Sequence, residues 1–487
     1  MSDTGRRTFL AQFAAGSLCL QRLASAAPPQ GPAKPLNLVL ILVDDLGWAD
    51  VGCFGSKFHS TPNIDRLCHQ GMKFTNAYAA APVCSPTRAS IMTGKSPARL
   101  QMTDIVQGHR PSPKDPLLAP EVRPALPLEE VTIAETLKTA GYISACIGKW
   151  HLGAKGFYPE DQGFAVNVGG THIGMPNNFF FPDWKLSRNG PLAAVGAVPI
   201  DGQPGEYLTD RLTDAATSFI EENRDRPFFL YLAHYAVHIP MQAKTDLIER
   251  YERKADPADA QRNPIYAAMV DSVDQSVGKV MRKLDEMGIA GNTAVLFMSD
   301  NGGLLTPMKP NNLPPTSNLP LREGKGHLYE GGIREPMIVK WPGVVKPGSV
   351  CDVPVISTDF YPTLVAMAGI KADPGHPVDG LSLLPLLKQT GKLKRDTLYW
   401  HWPHYAIPTA LPAAAIRRGD LKLIEFFEDA RVELYNLAHD PGEKSNLVNK
   451  LPKKAAELQA ALHAWQKSLH AGGMRPNPDY RPAVVNQ

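Results

Sequence analysis

Residues Leu36 to Val43 read LNLVLILV, apolar at every position but Asn37 and rich in β-branched side chains. A run this short and uninterrupted leaves no wet face, so it predicts a strand buried on both sides, as at the centre of a parallel sheet. Three more runs share this texture: Tyr142–Ile147, Phe228–Ala233 and Thr293–Met298. Each of the four leads straight into polar residues. The first ends in Asp44-Asp45-Leu46-Gly47 and the second in Gly148-Lys149-Trp150-His151. The third runs out to His234 and His238, the fourth to Ser299-Asp300-Asn301-Gly302. In open α/β sheets, sites form at the carboxyl ends of the strands.

Helical patterns lie between these runs. Val131–Ala140 and Thr358–Ala368 are two, and Tyr266–Met287 is the longest. There Val270, Val273, Val277, Val280, Leu284 and Met287 recur at spacings of three and four, one apolar face of a helix. The alternation predicts an α/β fold, a mostly parallel sheet between helices. After about Leu387 the texture changes. Thr397–Trp402, Ala414–Arg418 and Leu421–Phe427 read as short strands, with a Gly419-Asp420 turn, and Lys453–Leu469 as a closing helix. The expected layout is a catalytic domain over 36–387 and a smaller C-terminal α+β domain over 388–487. A chain of 487 residues has room for both.

The first 26 residues read as an address. Arg6-Arg7 precedes an apolar stretch, Phe9–Leu20, and Ala24-Ser25-Ala26 offers a cleavage site. That layout predicts a twin-arginine export signal and an exported protein, periplasmic or secreted. Net charge is only +3, which argues against a nucleic-acid surface. No later stretch is long and apolar enough for a membrane span. Cys19 leaves with the signal. The spacing of Cys53, Cys68, Cys84, Cys146 and Cys351 is unlike a disulfide framework or a zinc site. Setting Cys84 aside, the other four allow three pairings, and free buried thiols fit the spacing equally well.

Asp44-Asp45 and Asp300-Asn301 supply three carboxylates and an amide oxygen at strand ends. Hard oxygen donors of this kind suit calcium, with magnesium second. Either pair alone is more simply a cap or turn. Both together, with Cys84 present, point to a metal. Around Cys84 the chain reads PVCSPTRASIMTG. Pro86 suits a first helical turn, Ala89–Thr93 continue it, and Gly94 can stop it. Cys84 is thus expected just before a helix N-terminus, with Arg88 a turn away, in an electropositive place.

Cys84-Ser85-Pro86-Thr87-Arg88 resembles the maturation signature of type I sulfatases, C-x-P-x-R, in the alkaline phosphatase superfamily. Gly141–Gly153 resembles the second signature of that family, with Ser144 where the family often has Thr. Val237-His238-Ile239-Pro240 resembles its H-x-P stretch, with Val where Pro usually precedes the His. Gly324-Lys325-Gly326 followed by Glu330-Gly331-Gly332-Ile333-Arg334-Glu335-Pro336 resembles its G-K-G…E-G-G-I-R-x-P block. Glu433–Leu437, Asp440-Pro441-Gly442-Glu443 and Asn446-Leu447 resemble its C-terminal motif.

The resemblance implies an alkaline-phosphatase-like fold and hydrolysis of sulfate esters. It implies that a maturation enzyme oxidises Cys84 to formylglycine, whose hydrate attacks sulfur. It implies a calcium ion on Asp44, Asp45, Asp300, Asn301 and residue 84. Arg88 would stabilise the ionised nucleophile, and Lys149 and Lys325 would counter sulfate charge. His238, with Lys325, would bind the bridging oxygen. His151 would take the proton whose loss expels sulfate. Two other activities use the same residues: phosphonate or phosphodiester hydrolysis, and calcium-dependent glycan binding by an inactive relative. The intact Cys84, Arg88, Lys149, His151, His238 and Lys325 speak against decay.

Substrate choice belongs to the loops at the mouth. Gly170–Phe180, with His172, and Trp400–Tyr405, with His401 and His404, carry histidines, amides and aromatics suited to a sugar ring. The expected substrate is a sulfated mono- or oligosaccharide, of galactose or N-acetylgalactosamine type, with aryl sulfates as simpler substrates. At least one of Trp400 and Trp402 is expected to pack the domain interface instead.

Overall fold

The computed structural model describes residues 34–106, 108–185, 195–371, 373–405 and 409–482. The expected export signal over residues 1–26 lies outside them. Six strands form the middle of the main sheet: β1 (Asn37–Val43), β2 (Met72–Tyr78), β3 (Ile143–Gly148), β4 (Phe228–Ala233), β5 (Thr293–Ser299) and β6 (Arg334–Lys340). Their order is β2-β6-β5-β1-β4-β3. Short strands at Ser349–Cys351, Val355–Ile356 and Val166–Val168 complete a nine-stranded sheet among the described residues. The four strands expected from the sequence lie side by side and parallel, with β1 between β4 and β5. Strands β2 and β6 were not foreseen. β6 runs antiparallel to both β5 and β2, which makes the sheet mixed on that side.

Alternate residues of β1 feed two cores, because successive side chains leave a strand on opposite faces. Val39, Ile41 and Val43 pack in one core, with Val270, Val273 and Val277 of the long helix Pro264–Glu286. Leu38, Leu40 and Leu42 pack in the other, with Ala89, Ile91 and Met92 of the helix Cys84–Thr93 and Leu364 of Phe360–Met367. That double burial explains the unbroken apolar run.

Register fixes where the site forms. Val43 pairs with Ser299, Leu42 with Ala233, and Gly148 with Ala233. The four strands therefore end level, and Asp44, Asp300, Lys149 and His234 emerge along one edge. At Gly148 φ is +102°, and a β-carbon there would lie 1.9 Å from the Ala233 carbonyl oxygen. Only glycine fits that crossing of two strand ends. Its glycine answers to close backbone packing, not to a ligand's approach.

The second sheet holds β7 (Thr397–Trp402), β8 (Ala413–Arg418), β9 (Leu421–Phe426) and β10 (Val432–Asn436), antiparallel in that order. The helix Pro452–Ser468 packs on it through Leu458 and Leu462. This sheet shares a core with the main body: Trp400, Trp402 and Ile424 meet Tyr78, Val83 and Ile333. Both tryptophans are buried, and Trp400 Nε1 donates to the Ala79 carbonyl at 2.8 Å. Pro35–Gln487 is accordingly one compact unit. Among the described residues no helix is long and apolar enough to cross a membrane.

Candidate active site

The helix carrying Cys84 runs from Cys84 to Thr93. Cys84 is its first residue, so the helix starts slightly earlier than the position of Pro86 suggests. Pro86 still falls among the first N–H positions, where the missing donor costs nothing. Gly94 closes the helix with φ +70° and donates to the Ser90 carbonyl at 2.9 Å. Residues 84–93 are all buried, which points the N-terminus inward at the strand ends.

Three ion pairs organise the floor. Arg88 Nε donates to Asp300 Oδ2 at 2.8 Å, and Nη2 lies at the same distance. Lys149 Nζ donates to Asp44 Oδ2 at 2.5 Å. Lys325 Nζ sits 2.8 Å from Asp45 Oδ1 and 2.9 Å from Oδ2. Asn301 Nδ2 donates to Asp45 Oδ1 at 2.7 Å, which turns the Asn301 carbonyl oxygen the other way. The remaining contacts of Arg88 are to the Lys149 carbonyl, 2.8 Å, and the Tyr231 hydroxyl, 3.3 Å. Arg88 thus holds Asp300 and the Lys149 backbone in place, a positioning role beside the one the sequence suggested.

Two oxygens are buried here without a hydrogen-bond partner, Asp44 Oδ1 and Asn301 Oδ1. A buried polar atom left unpaired costs about 1–3 kcal/mol. Ligand atoms of Asp44, Cys84 and Asp300 lie within 4.8 Å of one another, as do those of Asp44, Asp45 and His238. Burial, together with the neighbouring Asp300, pushes the Asp44 carboxyl up to about 8 even against Lys149. Surplus negative potential, orphaned oxygens and a donor set dominated by carboxylate and amide oxygens fit a hard divalent cation. Asp45 goes the other way: burial is the largest influence and would raise it, but Lys325, His238 and Lys149 together hold it below the usual carboxylate range. Asp45 also keeps a left-handed backbone, φ +62°, which bends the chain back over the strand end.

His151 lies on the far side of Cys84, with Nδ1 3.4 Å from Sγ. Its own φ is +58°. Ser85 Oγ donates to the His151 carbonyl at 2.9 Å, and the His151 amide donates to the Thr171 carbonyl at 2.8 Å. Gly174 backs the ring; a β-carbon there would stand 2.6 Å from Cε1. Burial first, then Lys149 and Arg88, hold His151 well below its ordinary value, so it is a neutral base. His238 is held down to about 3 by burial and then by Lys325. Burial also raises the Cys84 thiol, although Lys149 and Lys325 pull the other way. An unmodified Cys84 is therefore a thiol here, not an activated thiolate.

Access is one-sided. Cys84 is 3% exposed and Lys149 0%, whereas the side chains of His238 and Lys325 are 11% and 12% exposed. The open side of the cluster is the one with His238 and Lys325.

The loop residues named from the sequence divide. His172 is half-buried on the segment that clamps His151. On the same loop, Phe179 packs against Tyr207 in the core and offers no face to a sugar. His401 is not brought to the strand ends. It is buried in the second sheet, where Nε2 bonds to the Gly472 carbonyl at 2.9 Å and Nδ1 to Gln466 at 3.1 Å. Those partners tie β7 to the C-terminal segment and give His401 a structural place. His404 is also buried, bonded to Thr103 Oγ1 at 2.8 Å with Asp104 at 3.7 Å.

That contact exposes residues the sequence reading missed. Asp104 is a buried carboxylate bonded to His109 Nδ1 at 2.8 Å. The Val106 amide between them donates to Ser85 Oγ at 3.2 Å, so this loop leans on the start of the Cys84 helix. Neither Asp104 nor His109 stands at a strand end or inside a spaced motif, so nothing in the sequence marked them. A second missed feature explains the C-terminal Asp-Pro-Gly-Glu. Glu443 Oε2 accepts from the Glu330 amide at 2.6 Å, and Lys422 Nζ sits 2.9 Å from both Glu330 Oε1 and Glu443 Oε1. This buried cluster fixes the helix Glu330–Ile333, which follows the Lys325 turn.

Known proteins match this arrangement along most of its length. The sulfatase family model matches residues 36–370, and the model of the C-terminal part of N-sulphoglucosamine sulphohydrolase matches 324–471. A sulfatase of Formosa agariphila is 34% identical, covering 92% of this chain and 92% of its own length. The N-acetylgalactosamine-6-sulfatase of Homo sapiens is 35% identical, covering 76% and 69%. Among solved structures, Ps i-CgsB in complex with k-i-k-neocarrahexaose superposes with a TM-score of 0.75 at 30% identity, covering 89% of this chain and 93% of that one. The chain belongs to the sulfatase family, sulfuric ester hydrolases of alkaline-phosphatase-like fold.

Proposed function

We propose that this chain removes sulfate from a sulfated mono- or oligosaccharide, with formylglycine made from Cys84 as the reacting residue and calcium at the carboxylate cluster. The observation that carries the reading is the meeting of Cys84, His151, Lys149, Lys325 and His238 around three carboxylates at one sheet edge. Asp44, Asp45, Asp300 and Asn301 would hold the cation, with magnesium as second choice. When bound, it would supply Lewis-acid polarisation of a sulfate oxygen and lower the pKa of a hydroxyl beside it. Oxidised and hydrated, residue 84 would offer two geminal hydroxyls, one to attack sulfur and one whose deprotonation releases the sulfate.

The other residues take roles set by position. Lys149 and Lys325 present ammonium charge to the sulfate oxygens, preorganised by Asp44 and Asp45. Arg88 keeps Asp300 and the Lys149 backbone in register. His151, neutral and next to residue 84, accepts a proton there. At the exposed side, Lys325 donates toward the bridging oxygen, with His238 beside it. The leaving alcohol would then lie on the partly exposed side of the cluster, with His238 and Lys325.

The saccharide assignment draws support from the relative named N-acetylgalactosamine-6-sulfatase and from the neighbour solved in complex with k-i-k-neocarrahexaose. His172 and the Asp104–His109 pair, on loops that reach His151 and Ser85, are the polar groups that would meet the sugar. An oxidised enzyme assayed against a panel of sulfated galactose and N-acetylgalactosamine saccharides, aryl sulfates and phosphodiesters tests it. Sugar sulfates should give the highest kcat/KM. Turnover confined to aryl sulfates would refute the saccharide, and faster phosphodiester cleavage would refute the sulfatase preference. Maturation by a formylglycine-generating enzyme and export to the periplasm or outside belong to the same proposal.

A further inference from the structure

All five described cysteines are free thiols, and two of them, Cys53 and Cys68, are close enough to influence each other. Cys53 lies in the short turn Gly52–Phe54, and Cys68 in the last turn of the helix Pro62–Gln70. The turn docks on the helix start through its backbone. The Gly52 amide donates to Thr61 Oγ1 at 2.8 Å, and the Cys53 amide to Asp65 Oδ1 at 2.7 Å. Asp65 and Cys68 are three residues apart and so share a helix face. The Cys53 and Cys68 thiols are neighbours on that face, close enough to shift each other's titration. Cys53 is half-exposed and Cys68 is 8% exposed.

The surroundings favour thiolate on Cys68 and disfavour it on Cys53, whose thiol is pushed up by Cys68 and then by burial. The Lys73 ammonium reaches the Cys53 carbonyl at 3.0 Å. The neighbouring Cys53 lowers the Cys68 thiol most. Burial opposes it, and Lys73 and His69 help bring Cys68 to about 7. Thiolate is the species that exchanges with disulfides. Cys146, by contrast, is fully buried in β3 with its thiol raised by burial.

We propose that Cys53 and Cys68 are a redox pair that closes to a disulfide under oxidising conditions, clamping the segment after the Asp44–Asp45 strand end onto the first helix. The oxidant is a disulfide donor, glutathione disulfide or the disulfide of a thiol oxidase. One cysteine sulfur attacks a donor sulfur and expels the other as a thiol. The second cysteine then attacks the mixed disulfide, forms the Cys53–Cys68 bond and expels the remaining donor thiol. Two electrons pass to the donor, and the two cysteine protons end on its two thiols. The crosslink restricts the unfolded chain between residues 53 and 68 and so raises stability. None of this depends on the sulfatase reaction.

The test uses the whole protein. Reduced enzyme is incubated with glutathione disulfide, denatured, alkylated and peptide-mapped, and melting temperature is measured in parallel. The expected result is a linked Cys53–Cys68 peptide, with Cys146 and Cys351 alkylated. Melting should rise on oxidation, and the rise should vanish in both Cys53→Ser and Cys68→Ser. Full alkylation of Cys53 and Cys68 after oxidation, or linkage to other partners, would overturn the pair. A linked protein with unchanged melting would overturn the clamp.

Discussion

Lys325 donates to His238 Nε2 across 2.9 Å, while His238 Nδ1 lies 2.9 Å from the Ile239 carbonyl. An ammonium has no lone pair and a carbonyl has no proton, so the two contacts fix the tautomer. His238 carries its proton on Nδ1 and turns its Nε2 lone pair to Lys325. Burial and then Lys325 keep it uncharged. The proton available at the mouth is therefore on Lys325, whose ammonium is strengthened by Asp45 despite burial. Lys325→Met should lower kcat by about 10²–10⁴-fold for sugar sulfates, the range of general acid catalysis. The loss should shrink for aryl sulfates with acidic phenol leaving groups. Equal losses for both would remove Lys325 from the acid role.

The same charges set a pH prediction. His151 and His238 work as neutral rings, and burial plus nearby ammonium charge disfavours their protonated forms. Both remain neutral as pH falls through the ordinary histidine range, so neither histidine should give kcat/KM an acid limb between pH 8 and about pH 5. An acid limb with a midpoint near the unperturbed histidine value of about 6.5 would contradict the assignment. In Lys325→Met, one cation is gone, and any acid limb should move to higher pH.

Metal removal should abolish turnover. A chelator should inactivate the enzyme and lower its melting temperature, and calcium should restore both better than magnesium. Asp44→Asn should weaken metal binding by calorimetry. An enzyme equally active and equally stable after exhaustive chelation would refute the metal site.

Substrate choice should separate from chemistry at the rim. His109→Ala and His172→Ala should raise KM for sugar sulfates several-fold and leave aryl sulfate hydrolysis nearly intact. His401→Ala, in contrast, should lower melting temperature with little change in sugar preference, since its ring bonds Gln466 and Gly472. Loss of both activities in His109→Ala would place that residue in the fold or the core instead.

Lys422 faces two buried carboxylates. Lys422→Met would strand Glu330 and Glu443 together, at a cost of about 3–5 kcal/mol. Denaturant unfolding measures this directly. A change below about 1 kcal/mol would show that the cluster is not needed to hold the Lys325 turn.

The four parallel strands were legible because two-sided burial writes an unbroken apolar run, as at Leu38–Val43. The floor of the site was legible for the same reason: Asp44, Lys149, His238 and Asp300 follow those runs. Strand β2, Met72–Tyr78, was hidden because its burial is mixed and it contains Lys73, Thr75 and Asn76. The rim was least legible. His401 and His404 sit close together in the sequence, yet His401 bonds Gly472 and Gln466 while His404 bonds Thr103 beside Asp104, and the strand's pleat and the chain turn after it decide where each ring goes. Asp104 and His109 meet in a loop held by bonds to Ser85 and His404 and by the His109 amide's bond to Asp104. Such tertiary contacts leave no period and no spacing in a sequence.

The central claim is that residue 84 reacts as formylglycine. Active enzyme should be digested and its residue-84 peptide analysed by mass spectrometry, with turnover measured on the same sample. The account predicts an aldehyde or its hydrate at residue 84, in a fraction that tracks kcat across preparations, and no turnover in Cys84→Ala. Full activity in protein whose residue 84 is entirely unmodified thiol would contradict it.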